Sequence, residues 1–294
     1  DLDAILGDGE NVKEEIRAAY LMGNTRFGKL QLQAGLRYED TATTAITPRR
    51  LPDSRNPFPA NTVNRILARW SQGRETSEGS YDDILPSAAA SYRFSENLQL
   101  KAGYHQAIKR APLDQLAGGW DIDEANQRIS VPNPNLGPER SDKVSLMMEY
   151  YFEPAGTASI HVFETNLENN SQRTDWLDAA EFGYGNDPVY GLFEFRGWEN
   201  FPGTRKVRGM ELNYTQQLSF FRNEFLRGTR VFATYSRYTS KVRPNNFVPE
   251  SASAGVSFRF RNFTSKLAGT WAPDVWTGSN TVSAAATNTY FYPG

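Results

Sequence analysis

The sequence predicts an all-β protein whose strands form an antiparallel, up-and-down transmembrane β-barrel. Three observations carry that reading. Apolar residues recur at every second position over much of the chain, which makes one face of each strand apolar and the other polar or small. The connections between these stretches alternate strictly between short and long. Alternate connections of a meander share an end, so all the long loops lie on one side. Aromatic side chains gather near the strand ends, as expected at the two interfaces of a barrel in lipid.

The first strand is read from Ile16, Ala18, Tyr20 and Met22, taken as the apolar face against Arg17, Ala19, Leu21 and Gly23. Phe27, Gly28 and Lys29 turn the chain into the cleanest two-faced strand, with Leu30, Leu32, Ala34, Leu36 and Tyr38 against Gln31, Gln33, Gly35, Arg37 and Glu39. Residues 41–80 show no sustained period and read as a long loop. A hairpin follows, with Ala88, Ala90, Tyr92 and Phe94 before the turn Ser95-Glu96-Asn97 and Leu98, Leu100, Ala102 and Tyr104 after it. Turn-forming residues between two alternating runs are the signal for that hairpin.

A second long loop spans 107–140, with Gly118-Gly119-Trp120 and Asn133-Pro134-Asn135 as turn signals. Val144, Leu146, Met148, Tyr150 and Phe152 form the next apolar face. The turn at 153–156 leads to Ala158, Ile160 and Val162. After a third long loop, 169–204, strands are read around Met210–Tyr214, Val231–Tyr235, Ala254–Phe260 and up to Trp271. The connections at 220–228 and 261–262 are short, those at 240–249 and beyond 273 long, and the tail opens another loop or strand. The total is about ten strands and no convincing helix.

Composition agrees with this class and excludes others. The 294 residues carry a net charge of −2, which gives no footprint for nucleic acid. There is no cysteine, so disulfides and thiolate metal sites are excluded, and the two histidines, His105 and His161, leave little for a histidine-rich metal site. Mean hydropathy is −0.60, as alternating faces allow in a barrel that spans lipid. The acidic groups Asp82-Asp83 and Asp121, Asp123, Glu124 lack the spacing of a calcium loop. Gly203-Thr204-Arg205-Lys206 lacks that of a phosphate loop. No motif of an enzyme and no cofactor-binding set is present.

Several stretches taken together resemble the β-barrel of the TonB-dependent outer-membrane receptors, towards its C-terminal part. They are Leu85-Pro86-Ser87 opening a strand, Arg110-Ala111-Pro112 closing the hairpin, the run Asn133-Pro134-Asn135-Leu136-Gly137-Pro138-Glu139-Arg140-Ser141, Val207-Arg208-Gly209-Met210-Glu211-Leu212, and Val248-Pro249-Glu250-Ser251. The resemblance implies a partial barrel domain over residues 1–294, cut from a 22-stranded barrel whose lumen holds a plug. The plug and the terminal strands are expected to lie outside this chain. It also implies import of a scarce solute, such as a siderophore or carbohydrate, driven through the TonB protein, with outer-membrane lipid, the plug of the same polypeptide and a small-molecule ligand as partners.

Under that resemblance the polar faces line the lumen and meet the plug. Arg17, Gln31, Gln33, Arg37, Glu39, Arg93, Lys101, Glu149 and Glu211 are the candidates, and a solvated strand face is the alternative role of each. Ligand candidates on the long loops are Trp120, Asp121, Trp176, Tyr184, Tyr190 and Trp198, aromatic platforms with carboxylates nearby. The same aromatics would also serve to pack the loops together. Arg49, Arg50, Arg65 and Arg69 could attract an anionic ligand or lipopolysaccharide phosphate. The competing readings are a passive porin or adhesin barrel and a soluble carbohydrate-binding module.

Overall fold

The computed structural model describes residues 2–7, 11–60, 62–117, 120–153, 155–241, 247–273, 275–276, 281–282 and 285–293. The turn glycines Gly118 and Gly119, the turn residue Pro154, half of the 240–249 loop and parts of the tail lie outside them.

The strands in chain order are β1 (Asn11–Phe27), β2 (Leu30–Pro48), β3 (Arg74–Arg93), β4 (Leu98–Lys109), β5 (Asp121–Asp123), β6 (Arg128–Ser130), β7 (Glu139–Phe152), β8 (Gly156–Glu168), β9 (Ser171–Leu177), β10 (Glu194–Asn200), β11 (Thr204–Gln217), β12 (Thr229–Ser240), β13 (Glu250–Phe260), β14 (Phe263–Trp271), β15 (Val275–Trp276), β16 (Thr281–Val282) and β17 (Ala285–Pro293). Eleven of them form one sheet in the order β1-β2-β3-β4-β7-β8-β11-β12-β13-β14-β17, which does not close among the described residues. Every pairing in it is antiparallel between strands successive in the sheet. The eleventh strand, β17, comes from the tail.

Residues paired across an antiparallel ladder share a face, so the register assigns both faces from end to end. One face carries Leu32, Leu36, Ala90, Leu100, Leu146, Met148, Ile160, Leu212, Val256 and Leu267. Large apolar side chains there are left open, among them Leu36, Val144, Leu146, Met148 and Leu267. A continuous exposed apolar sheet face is what lipid covers. At the short-turn end of this face stand Tyr92, Tyr150, Phe152, Tyr214 and Phe258, with Phe152 stacked on Tyr150 and Tyr214. At the other end stand Tyr38, Tyr104, Tyr235 and Trp271.

The register corrects the reading of β1. Tyr20 lies opposite Arg37, Ala18 opposite Glu39 and Leu21 opposite Leu36. Ile16, Ala18, Tyr20 and Met22 therefore share the polar inward face, where Gln33 donates to the Met22 sulfur at 3.1 Å. Arg17 points outward, not into the lumen, and pairs with Glu15 at 2.6 Å. The strand is apolar on both faces in its central part, so alternation alone left its phase free.

The strands also run further than their pattern. β2 and β3 have 19 and 20 residues, whereas about 9–11 tilted residues cross a bilayer core. The outward apolar run of β2 stops at Tyr38, so its upper half stands above the lipid. The loop expected over 41–80 is therefore only 49–73. The inward side chains of that upper half, Thr41, Thr43, Ala45 and Thr47, are buried because loop structure folds in over them.

The loops are not structureless. They hold α2 (Val63–Arg69) and α3 (Leu113–Ala117), while α1 (Leu2–Gly7) precedes β1 and α4 (Glu224–Arg227) lies in a connection at the short-turn end, so the expectation of no helix is corrected. β5, β6, β10 and β9 form a separate four-stranded sheet from two loops, joined by the parallel pairing of β6 with β10. Leu116 of α3 is buried, and α3 packs on β1 and β2. A Cβ at Gly79 would sit 2.5 Å from the Pro134 carbonyl oxygen, so this position on the inward face of β3 takes only glycine.

Candidate functional site

The loop sheet buries one face. Ile122, Ile129, Phe195 and Leu177 stand side by side across its four strands. Trp120, Tyr184 and Tyr190 join them in a single core. Trp120 meets Phe182 edge-on, and Tyr184 contacts both Tyr190 and Phe195. Tyr190 is 1% exposed. These three aromatics, expected as ligand platforms, thus pack the loops together, because three-residue strands cannot hold a sheet without a core beneath them.

A first loop, 49–73, is bound to the same unit by charge and hydroxyl groups. The Arg49 guanidinium lies over the Trp120 and Tyr184 rings, and that of Arg55 over Tyr190 at 4.5 Å. Arg55 also pairs with Asp187 at 2.5 Å. The Ser54 hydroxyl meets that of Tyr190. Glu124 accepts from the Tyr190 hydroxyl at 3.0 Å and the Ser54 amide at 2.9 Å. Burial drives the Asp187 carboxyl up, but the Tyr190 and Val189 amides and Arg55 outweigh it and hold the group below the ordinary carboxylate range. Burial pushes the Tyr190 phenol up, and Glu124 adds to that.

The arginines expected to attract an anion are engaged within the loops. Arg50 pairs with Asp53 at 3.1 Å and Asp121 at 3.6 Å, and Arg69 with Asp53 and Asp3. Arg65 pairs with Asp53 at 3.6 Å.

The opposite face of the loop sheet is polar and partly open, with the Arg196 side chain 20% exposed. Alternation along β10 puts Glu194, Arg196 and Trp198 on it, and pairing adds Arg128 beside Glu194 and Arg173 beside Trp198. Arg128 donates to Glu194 at 3.0 Å and holds that carboxyl below its ordinary range. Arg196 pairs with Asp175 at 3.1 Å. The bulge opposite Arg196 carries Trp176, 82% exposed, and Asp121 sits at the margin with its side chain 74% exposed. Of the six loop candidates, Asp121 and the half-buried Trp198 thus share this face by alternation, and Trp176 stands exposed at its bulge. Sequence reading missed Arg128, Arg173, Asp175, Glu194 and Arg196, although Glu194-Phe195-Arg196-Gly197-Trp198 alternates at period two.

On the barrel sheet, Arg37, Glu39, Arg93, Lys101, Glu149 and Glu211 share one face by register. Glu39 accepts from Arg37 and Arg110, tying β2 to the segment after β4. Glu149 pairs with Lys101 at 2.8 Å and accepts from Gln99 at 2.6 Å and the Tyr151 hydroxyl at 2.8 Å. Glu211 meets His161 at 3.2 Å and accepts from Tyr238 at 2.8 Å. Arg93 is exposed near the short-turn end. Among the described residues no group of acidic and histidine side chains could hold a metal ion.

The sequence model of a family described as TonB dependent receptor-like, beta-barrel, matches residues 5–294. No curated relative matches the sequence. Among solved structures, the fold is similar to the ferric citrate transporter FecA in its unliganded form, with TM-score 0.59 and 17% identity over 90% of this chain and 33% of that one. It is similar to the Serratia marcescens hemophore receptor HasR, seen with HasA and heme, with TM-score 0.59 and 16% identity over 88% and 44%. It is similar to the siderophore receptor PiuA of Acinetobacter baumannii, with TM-score 0.59 and 15% identity over 96% and 36%. The chain thus spans less than half the length of each of these structures.

Proposed function

Because the chain belongs to the TonB-dependent receptor β-barrel family, whose barrels sit in the outer membrane and act as transporters, we propose that it forms part of a receptor importing a scarce solute with energy delivered through TonB. The ligand we favour is a ferric chelate, following the ferric citrate named for FecA and the siderophore named for PiuA. It would be held against the polar face of the loop sheet by Trp176 and Trp198, with Arg173, Arg196 and Asp121 supplying hydrogen bonds and charge. The observation that carries this reading is the fold of the two loops: one face is spent on a core, and the other presents two tryptophans among paired charges. Aromatic surface with a few placed polar groups is what small-ligand recognition requires.

The inward face fits the same proposal. Lys101, Glu149 and Glu211 would meet the plug of the parent polypeptide with side chains already fixed by neighbours, so that contact costs little ordering. A passive porin would need no such fixed pairs. A soluble carbohydrate-binding module is at odds with the exposed apolar face of the sheet. The test is binding to the full receptor polypeptide containing this chain, followed by tryptophan fluorescence with ferric citrate, ferric siderophores and heme. Trp176→Ala and Trp198→Ala should each weaken the chelate that binds by about 30-fold, as interface anchors do. Unchanged affinity in both variants would contradict the site.

A further inference from the structure

The connection from β11 to β12, residues 218–228, is unlike the other links at the short-turn end. It carries Phe220, Phe221 and Phe225, which are 57%, 42% and 52% exposed, where a link in water would be polar. It is also built rigidly. Asn223 caps α4 by accepting from the Phe225 and Leu226 amides, Gln217 donates to the Arg227 carbonyl at 2.6 Å, and the Thr229 hydroxyl donates to the Phe225 carbonyl at 2.9 Å. Its direction is fixed by one contact: the Phe225 ring lies 4.0 Å from Phe258, and Phe258 is on the outward, lipid-facing side of β13. The connection therefore folds against the outside of the barrel and not beneath its lumen.

Charge sits beside the rings. Arg222 and Arg227 are exposed within the connection, and Arg261, in the neighbouring turn, is exposed with its guanidinium over Phe260 at 5.2 Å. Glu224 is the one acidic residue of the connection. Of the other short turns, that at Lys29 is basic, whereas those at Glu96 and Glu153 carry the opposite sign. Short turns of such barrels face the periplasm, so these arginines lie level with the headgroups of the inner leaflet.

We propose that this connection is a binding site for an anionic phospholipid of the inner leaflet. Phe220, Phe221 and Phe225 enter the acyl boundary as a continuation of the aromatic belt, and Arg222, Arg227 and Arg261 hold the phosphate. Aromatic rings at headgroup level and guanidinium donors to phosphate are each the preferred chemistry there. The site rests on the membrane placement of the barrel and not on which ligand is imported.

Native mass spectrometry of the full receptor polypeptide, released from detergent with equal phosphatidylglycerol, phosphatidylethanolamine and lipid A, tests it. Phosphatidylglycerol should be retained in preference to phosphatidylethanolamine. That preference should fall about five-fold for each arginine removed in the series Arg222→Gln, Arg227→Gln and Arg261→Gln, with heat-modifiable gel migration of the barrel unchanged. Phe220→Ser with Phe221→Ser should lower retention of both phospholipids. Equal retention of the two by the native protein, unchanged retention in the triple arginine variant, or a loss confined to lipid A would each overturn the proposal.

Discussion

The Tyr190 hydroxyl donates to Glu124 at 3.0 Å, joining the loop after β9 to the loop before β7. Ser54 of the first loop meets the same two groups. Three loops that leave the barrel at different strands are thus closed on one buried phenol, and the face proposed to meet the ligand is positioned by residues that never reach it.

Tyr190→Ala should loosen the loop sheet while leaving the barrel folded. A fully buried aromatic cut to alanine costs about 3–5 kcal/mol, and Tyr190→Phe, losing only the hydroxyl bonds, about 1–2 kcal/mol. Hydrogen exchange should rise in β6, β9 and β10 in that order of severity and stay unchanged in β7 and β8.

The Arg55–Asp187 pair makes the same unit acid-sensitive. The Asp187 carboxyl is held below its ordinary value, so its contribution is complete above the unfolded value of about 3.9 and is lost as pH falls through the lower, folded value. Limited proteolysis of loop 178–193 should accelerate in that acid window, and Asp187→Asn should remove most of the pH dependence while being faster throughout.

Glu39 accepts from two arginines on different segments and is itself buried. Glu39→Gln removes the carboxylate shared by Arg37 and Arg110 and leaves Arg110 only Glu14 at 4.0 Å, at a cost of about 2 kcal/mol. Thermal denaturation of the full receptor should show the loss, and Arg110→Gln in the Glu39→Gln background should recover part of it.

The phase of β1 is open to a paired substitution. Leu21→Lys places a charge in lipid and should cost about 2 kcal/mol, whereas Tyr20→Lys, one residue away on the inward face, should cost well under half of that. Reversed effects would restore the phase expected from alternation alone.

The barrel strands were legible because lipid demands strict alternation, as from Leu30 to Tyr38 and from Val144 to Phe152. β1 failed where Ala19 and Leu21 match Ala18 and Tyr20 in apolarity, so only pairing with Arg37 and Leu36 decides the faces. The loop sheet left a weaker trace. Its strands β5 and β6 have three residues each, and Ile129 and Phe195 meet only after folding across two loops. Aromatic content marked Trp120, Tyr184 and Tyr190 as important without distinguishing a core from a binding surface. Arg196 and Arg128 were passed over because short alternating runs inside a long loop resemble irregular chain.

The most direct test of the account is uptake by iron-limited cells that depend on the full receptor, comparing labelled ferric citrate, ferric siderophores and heme with the gene for TonB intact or deleted. The account predicts that one ferric chelate accumulates only when TonB is present, and that Trp176→Ala with Trp198→Ala reduces its uptake at low concentration about ten-fold or more. Equal accumulation without TonB, or no uptake of any of these solutes, would contradict it.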